Sequence, residues 1–151
     1  MASRLTVQET FYYDASPAKV YAALTEPKKL SRWFVRRAEM TLAPNAPFTF
    51  VWRGGYSLRG KVKTAVPGRS LCLSWPDRFG KGKVFLTEAR FNLRKKGRGT
   101  VLKITHSGFQ SGPAWVRLHG AVQAGWAYHL LNLRAYLSHG VDLRVDQDSI
   151  A

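Results

Sequence analysis

The sequence predicts an α+β fold, a curved antiparallel sheet of about six to seven strands wrapped around one long C-terminal helix. Two short helices are expected after the first strand. Three observations carry this. Apolar and polar residues alternate through most of the stretch from Phe48 to His106, which is the period of a half-buried strand. From Pro113 to about Ser138 the period becomes helical, with Trp115, Leu118, Val122, Trp126, Leu130, Leu133 and Leu137 spaced 3, 4, 4, 4, 3 and 4 apart. A sheet that is wet on one face must cover the other, and this is the one long amphipathic helix available to do it.

Taken in order, Leu5 to Tyr13 reads as a strand with Leu5, Val7, Glu9, Phe11 and Tyr13 in one phase. Ser16-Pro17 is a helix start, a capping hydroxyl followed by a residue suited to the first helical position. Val20, Tyr21 and Leu24 form the stripe of that helix, and Pro27 ends it and opens a second through Trp33. Phe48, Phe50 and Trp52 then alternate up to a Gly54-Gly55 hairpin signal, with Tyr56, Leu58 and Val62 returning. Leu71, Leu73 and Trp75 follow the Pro67-Gly68 turn, and Phe85, Phe91 and Leu93 lie in the next strand. After the Lys95-Lys96-Gly97-Arg98-Gly99 turn comes Thr100 to His106, with Leu102 and Ile104 inward. Six strands are legible in this way. The last helix is about 26 residues long, or ~39 Å, enough to cross a whole sheet, and Gly140 is its expected stop.

At 151 residues with 45% hydrophobic content, the chain suits one domain, read as residues 1–140, with 141–151 as an acidic, flexible tail. No stretch approaches the ~20 apolar residues of a membrane span. The first residues lack an apolar signal core, and the expected compartment is the cytoplasm. Cys72 is the single cysteine, which excludes an internal disulfide and a multi-cysteine zinc site. Against 9 acids stand 24 Lys and Arg, a net charge of +15. Strand phase sends Arg53, Arg59, Lys61, Lys63, Arg90 and Lys103 outward, so the excess is a coat on the outer sheet face rather than the lining of a site.

The run Ala15-Ser16-Pro17-Ala18-Lys19-Val20-Tyr21-Ala22-Ala23-Leu24-Thr25-Glu26-Pro27 is followed by Leu30-Ser31-Arg32-Trp33-Phe34. Farther on stand Gly99-Thr100, Thr105-His106-Ser107-Gly108-Phe109, and Gly125-Trp126 with Leu130 and Leu133. In this order the motifs resemble the START/birch-pollen-allergen-like (SRPBCC) superfamily of helix-grip domains. The branch resembled is the one related to the C-terminal domain of the activator of the heat-shock-protein-90 ATPase. The resemblance spans about residues 5 to 138. It implies the fold and a cavity between sheet and helix, but no single function, because this fold hosts many. Two departures stand out: Lys19 occupies a position that is often acidic in the branch and would complete a capping box, and the basic excess is not general in these domains.

No nucleophile-and-base spacing is present, so no catalytic residue, cofactor or metal is assigned. His119 and His129 share the apolar stripe but lie ten residues, ~15 Å, apart, too far for one metal ion. Those two, His106 and His139 read mainly as hydrogen-bonded structural histidines, with contact to a ligand as the sharper alternative. Glu9, in the inward phase, reads as paired or edge-exposed, with a ligand-orienting role as its alternative. Unfilled volume is expected near the N-terminal half of the long helix, under the short helices. Trp33, Phe34, Trp52, Tyr56, Trp75, His106 and Trp115 are the expected wall of a ligand cavity there.

The first expected function is binding of a small apolar or amphipathic molecule in that cavity. The second, implied by the resemblance, is a co-chaperone role toward a chaperone ATPase, although the second domain that anchors full-length activators is not part of this reading. The third is attraction of an anionic surface or nucleic acid. Alternation separates the aromatics from the bases, which argues against a stacking surface for nucleic acid. The chain is read as a monomer, or as a homodimer through an exposed strand edge.

Overall fold

Local chemistry starts the helices where the sequence places them. The computed structural model describes residues 5–79 and 82–145. Strand β1 (Val7–Tyr13) leads into α1 (Pro17–Thr25), where the Ser16 hydroxyl accepts from the Lys19 backbone amide at 3.3 Å. With lysine at position 19 that hydroxyl caps without a carboxylate reaching back, so the capping box stays half made. Pro27 opens α2 (Pro27–Trp33), and the Trp33 indole N–H donates to the Ala23 carbonyl at 2.9 Å, fixing the two helices together.

The sheet has seven antiparallel strands in the order β1-β7-β6-β5-β4-β3-β2. Six of them are the strands legible in sequence: β1, then β3 (Pro47–Val51), β4 (Ser57–Val66), β5 (Ser70–Arg78), β6 (Val84–Lys96) and β7 (Gly99–Ser107). The seventh is β2 (Arg37–Met40), an edge strand with Ala38 as its one buried residue. So short a strand, with one inward residue, carries no alternation to read. Inward positions build the core from Phe48, Phe50, Leu58, Val62, Leu71, Leu73, Phe91, Leu102 and Ile104, each at most 3% exposed.

Helix α3 (Pro113–His139) crosses this inner face, and Gly140 ends it in the left-handed conformation at φ 64°. The Tyr13 hydroxyl donates to the Leu130 carbonyl at 2.8 Å, tying β1 to the helix. Where the sequence suggests a loose tail from residue 141, the structure shows residues 142–144 tied back. Asp142 accepts from Asn132 and Arg53, and the Arg144 guanidinium donates to the carbonyls of Ser31 and Val35 at 3.1 Å. The tail acids Asp146 and Asp148 lie outside the described residues.

One irregularity shapes the sheet. The β4–β5 register slips between Val62 and Thr64, leaving Lys63 as an extra residue on β4. On the other side of the bulge, residues 57–61 of β4 pair with β3, and the β4–β5 ladder runs no farther than Val62–Leu73. Two side chains bridge the seam beyond it: Ser74 accepts from the Lys61 amide at 2.8 Å, and the Tyr56 hydroxyl reaches Asp77. The seam also explains how Pro76 is tolerated inside a sheet, since β5 needs ladder bonds there only toward β6.

Candidate functional site

A cleft of about 360 Å³ opens between the middle of α3 and the ends of β3, β4 and β5. Alternation sets its sheet wall. Trp52 follows β3, Tyr56 precedes β4, and Trp75 and Asp77 are successive inward residues of β5, with Phe79 beyond them. Helical spacing sets the opposite wall, where Leu118, Val122, Gly125 and His129 fall three and four residues apart, with Trp126 beside Gly125. Phe34, at the C-terminus of α2, closes one end. The aromatic rings are in mutual contact: Trp52 and Trp75 have centroids 6.2 Å apart, Trp75 and Trp126 5.3 Å, and Phe34 and Trp126 5.5 Å. A second hollow of about 370 Å³ adjoins the first, sharing Phe79, Leu118 and Ala121 and reaching Arg117.

The polar groups of the cleft set it apart from the core. Asp77 is 5% exposed, and its Oδ1 accepts from the Tyr56 hydroxyl at 2.5 Å. Its other oxygen, Oδ2, has no hydrogen-bond partner, and neither has Nδ1 of His129. Among the described residues these are the two buried side-chain polar atoms left unsatisfied, and both residues line this cleft. An unmet buried polar atom costs about 1–3 kcal/mol, so two of them in residues that line one cleft call for an explanation.

Burial raises the Asp77 carboxyl, opposed by the Tyr56 hydrogen bond. The Tyr56 phenol is raised in turn, by burial first and then by Asp77, so it remains a donor. His129 is lowered to about 4, chiefly by burial and further by the nearby Arg144 charge. At neutral pH the lining therefore includes a neutral imidazole and a carboxyl oxygen without a partner, within an aromatic box. That set can accept hydrogen bonds and hold a planar or apolar body between rings.

Phe34, Trp52, Tyr56 and Trp75, four of the seven residues expected from sequence, meet at the cleft. The other three are placed elsewhere. Trp33 is sealed in the core at 1% exposure, where its indole serves α1. Trp115 packs edge-on against Phe85 at 4.8 Å, nearer the start of α3. His106 is fully buried, its Nε2 at 2.7 Å from the Thr87 hydroxyl and its Nδ1 accepting from the Trp126 indole at 3.0 Å. The Thr87 hydroxyl also donates to the Trp75 carbonyl at 3.1 Å. This chain of bonds satisfies both ring nitrogens and holds two cleft tryptophans from behind, so His106 positions the wall without forming it.

Glu9 sits half-buried on β1, the edge strand opposite β2. His119 donates to the Thr6 carbonyl at 2.8 Å, and His139 is exposed in the last turn of α3. Among the described residues no three His, Cys, Asp or Glu side chains gather in a metal-holding group. Sequence reasoning did not single out Asp77, Phe79 or Trp126 as wall residues. The signal for Asp77 was present, since the phase of Leu71, Leu73 and Trp75 continues through it. Pro76, however, reads as the end of a strand.

No helix among the described residues is long and apolar enough to cross a membrane. A family model described as Activator of Hsp90 ATPase homolog 1-like protein matches residues 14–138. No curated protein matches. Among solved structures, protein MLL2253 from Mesorhizobium loti superposes with a TM-score of 0.81 at 23% identity, covering 91% of this chain and 99% of that one. The Aha1 dimer from Colwellia psychrerythraea gives 0.76 at 24% identity, covering 90% and 98%. DynU16, a protein of the dynemicin biosynthetic locus, gives 0.80 at 20% identity, covering 93% of this chain and 50% of that one. At these identities the structures share its fold.

Proposed function

This chain belongs to the Activator of Hsp90 ATPase homolog 1-like family, and from that premise we propose that it binds a small amphipathic molecule in the aromatic cleft. One observation carries the reading: the two unsatisfied buried polar atoms, Asp77 Oδ2 and His129 Nδ1, both belong to the lining of that apolar cleft. A bound molecule with an apolar body and polar points would satisfy both. Gly125 supports the same reading. Glycine inside a helix costs about 1 kcal/mol relative to alanine. Here no close neighbour requires it, because a Cβ would meet nothing within 4 Å. What the missing side chain leaves is open cleft.

Gly125 also supplies the test. The neutral probe N-phenyl-1-naphthylamine is expected to bind with a rise in fluorescence, and Gly125→Leu is expected to abolish that rise by filling the cleft. The variant's thermal midpoint should hold or increase, because leucine is the better helix former. Equal probe binding by wild type and by a folded Gly125→Leu would overturn the reading.

The family's printed description favours a second reading, contact with a chaperone ATPase. It requires that micromolar chain stimulate ATP hydrolysis by an Hsp90, and absence of stimulation at every ratio removes it. Gly125→Leu separates the two readings, since a surface contact would survive filling of the cleft. Expected attraction of an anionic partner stays with the outer face, where Arg59, Lys61, Lys63, Arg90 and Lys103 are all exposed. It calls for binding that weakens steeply with salt.

A further inference from the structure

Asp77 occupies an unusual position for an acid in so basic a chain. With 24 Lys and Arg against 9 Asp and Glu, counter-charges are abundant. The half-buried acid Glu88 has two of them, Lys63 at 2.6 Å and Arg90 at 3.8 Å. Asp77, far more buried, is in no ion pair among the described residues. Its single bond comes from the Tyr56 hydroxyl at 2.5 Å, a donor that carries no charge of its own. A buried carboxylate without a counter-charge is costly unless something supplies one.

The surroundings favour a positive group. The cleft around Asp77 is lined by Trp52, Tyr56, Trp75 and Trp126, with Phe34 and Phe79 at its ends. Aromatic faces carry negative potential and attract cations, Trp most strongly. Bases do approach the adjoining region: Lys83 lies 5.7 Å from the Trp115 ring, and Arg117 lines the second hollow. Neither lines the Asp77 cleft.

Resting on the reading of this cleft as a binding site, we infer that its occupant is an aryl or alkyl ammonium. The positive nitrogen lies among the tryptophans and donates to Asp77 Oδ2. The apolar body extends along α3 past Val122, toward the hollow shared with Phe79. The neutral His129 imidazole supplies a second polar contact for a substituent on that body. Asp77 is thus the specificity residue, and the aromatic box supplies the remaining affinity.

The test is calorimetric titration at pH 7.5 with three probes of matched size: 1-naphthylmethylamine, 1-naphthylmethanol and 1-naphthoate. The ammonium is expected to bind about tenfold or more tighter than the alcohol, with the carboxylate weakest. Asp77→Asn is expected to bring amine and alcohol within about twofold while alcohol binding persists. Alcohol or naphthoate binding as tightly as the amine would overturn the inference, as would an amine preference that survives Asp77→Asn. If Asp77→Asn does not fold, the wild-type ranking decides alone. Failure of the amine preference while N-phenyl-1-naphthylamine still binds removes this inference and leaves the cleft reading standing. Failure of every probe removes both.

Discussion

His106 and His129 are both held well below the ordinary histidine value of 6.5, at about 3 and about 4, with burial the leading cause in each. His106 sits in a closed circuit, with Thr87 at one nitrogen and Trp126 at the other. His129, about three turns of α3 past Leu118 at the start of the cleft, has a nitrogen that nothing meets. The same desolvation therefore produces a structural knot in one place and an open valence in the other. What separates them is the hydrogen-bond inventory of the neighbours.

Acid is the strongest way to probe the pair. Both groups have lowered folded-state values, so the unfolded chain binds protons first. Their stability is fully present above about pH 6.5 and is lost as pH falls toward 4 for His129 and 3 for His106. Each histidine contributes a slope of up to about 1.4 kcal/mol per pH unit within its window. Urea midpoints measured from pH 7 to 4 should therefore fall steeply. His129→Leu should flatten that fall, and an unchanged slope would contradict the assignment.

At constant pH the comparison becomes asymmetric. His106→Leu leaves the Trp126 indole N–H without an acceptor and breaks the link to Thr87, an expected loss of about 2–4 kcal/mol in urea denaturation. His129→Leu strands no partner, and its stability should change by no more than about 1 kcal/mol, in either direction. Equal losses from the two substitutions would erase the distinction. An effect of similar size belongs to Asp142, where bonds from Arg144 and Asn132 outweigh the burial that would raise it and hold it down to about 2. Asp142→Ala should cost about 1 kcal/mol by loosening the return of the chain after α3, read as a small drop in thermal midpoint.

How much of this was legible in the sequence depends on whether the cause is local. The stripe of α3, the Ser16-Pro17 start and the Gly140 stop follow from periodicity and caps, and they fall where expected. Trp52 and Trp75 reach the cleft because strand phase alone dictates their face. Strand β2 is invisible because one buried alanine is no pattern. Asp77 is obscured by Pro76, whose place in a strand depends on the slip at Lys63, a tertiary event. The opposite fates of His106 and His129 depend on residues 19 and more positions away, or on a missing partner, and no local signal carries either. Trp33 and Trp115 were expected at the wall because they are aromatic and inward, but inwardness does not say which buried ring meets empty space.

The seam between β4 and β5 bears on time as well as shape. Beyond Val62–Leu73 the two strands are joined by the side-chain bonds at Ser74 and Asp77, not by ladder rungs. Side chains change rotamer in picoseconds to nanoseconds, whereas strands part only by local unfolding, in microseconds or longer. Tyr56 is the post on one side of that opening, and its bond to Asp77 is the latch. Widening the mouth breaks that latch and leaves every backbone rung intact. For the binding proposed above, exchange of an occupant would then be uncoupled from the cooperative stability of the sheet: a stiff wall and a quick door built from the same two strands.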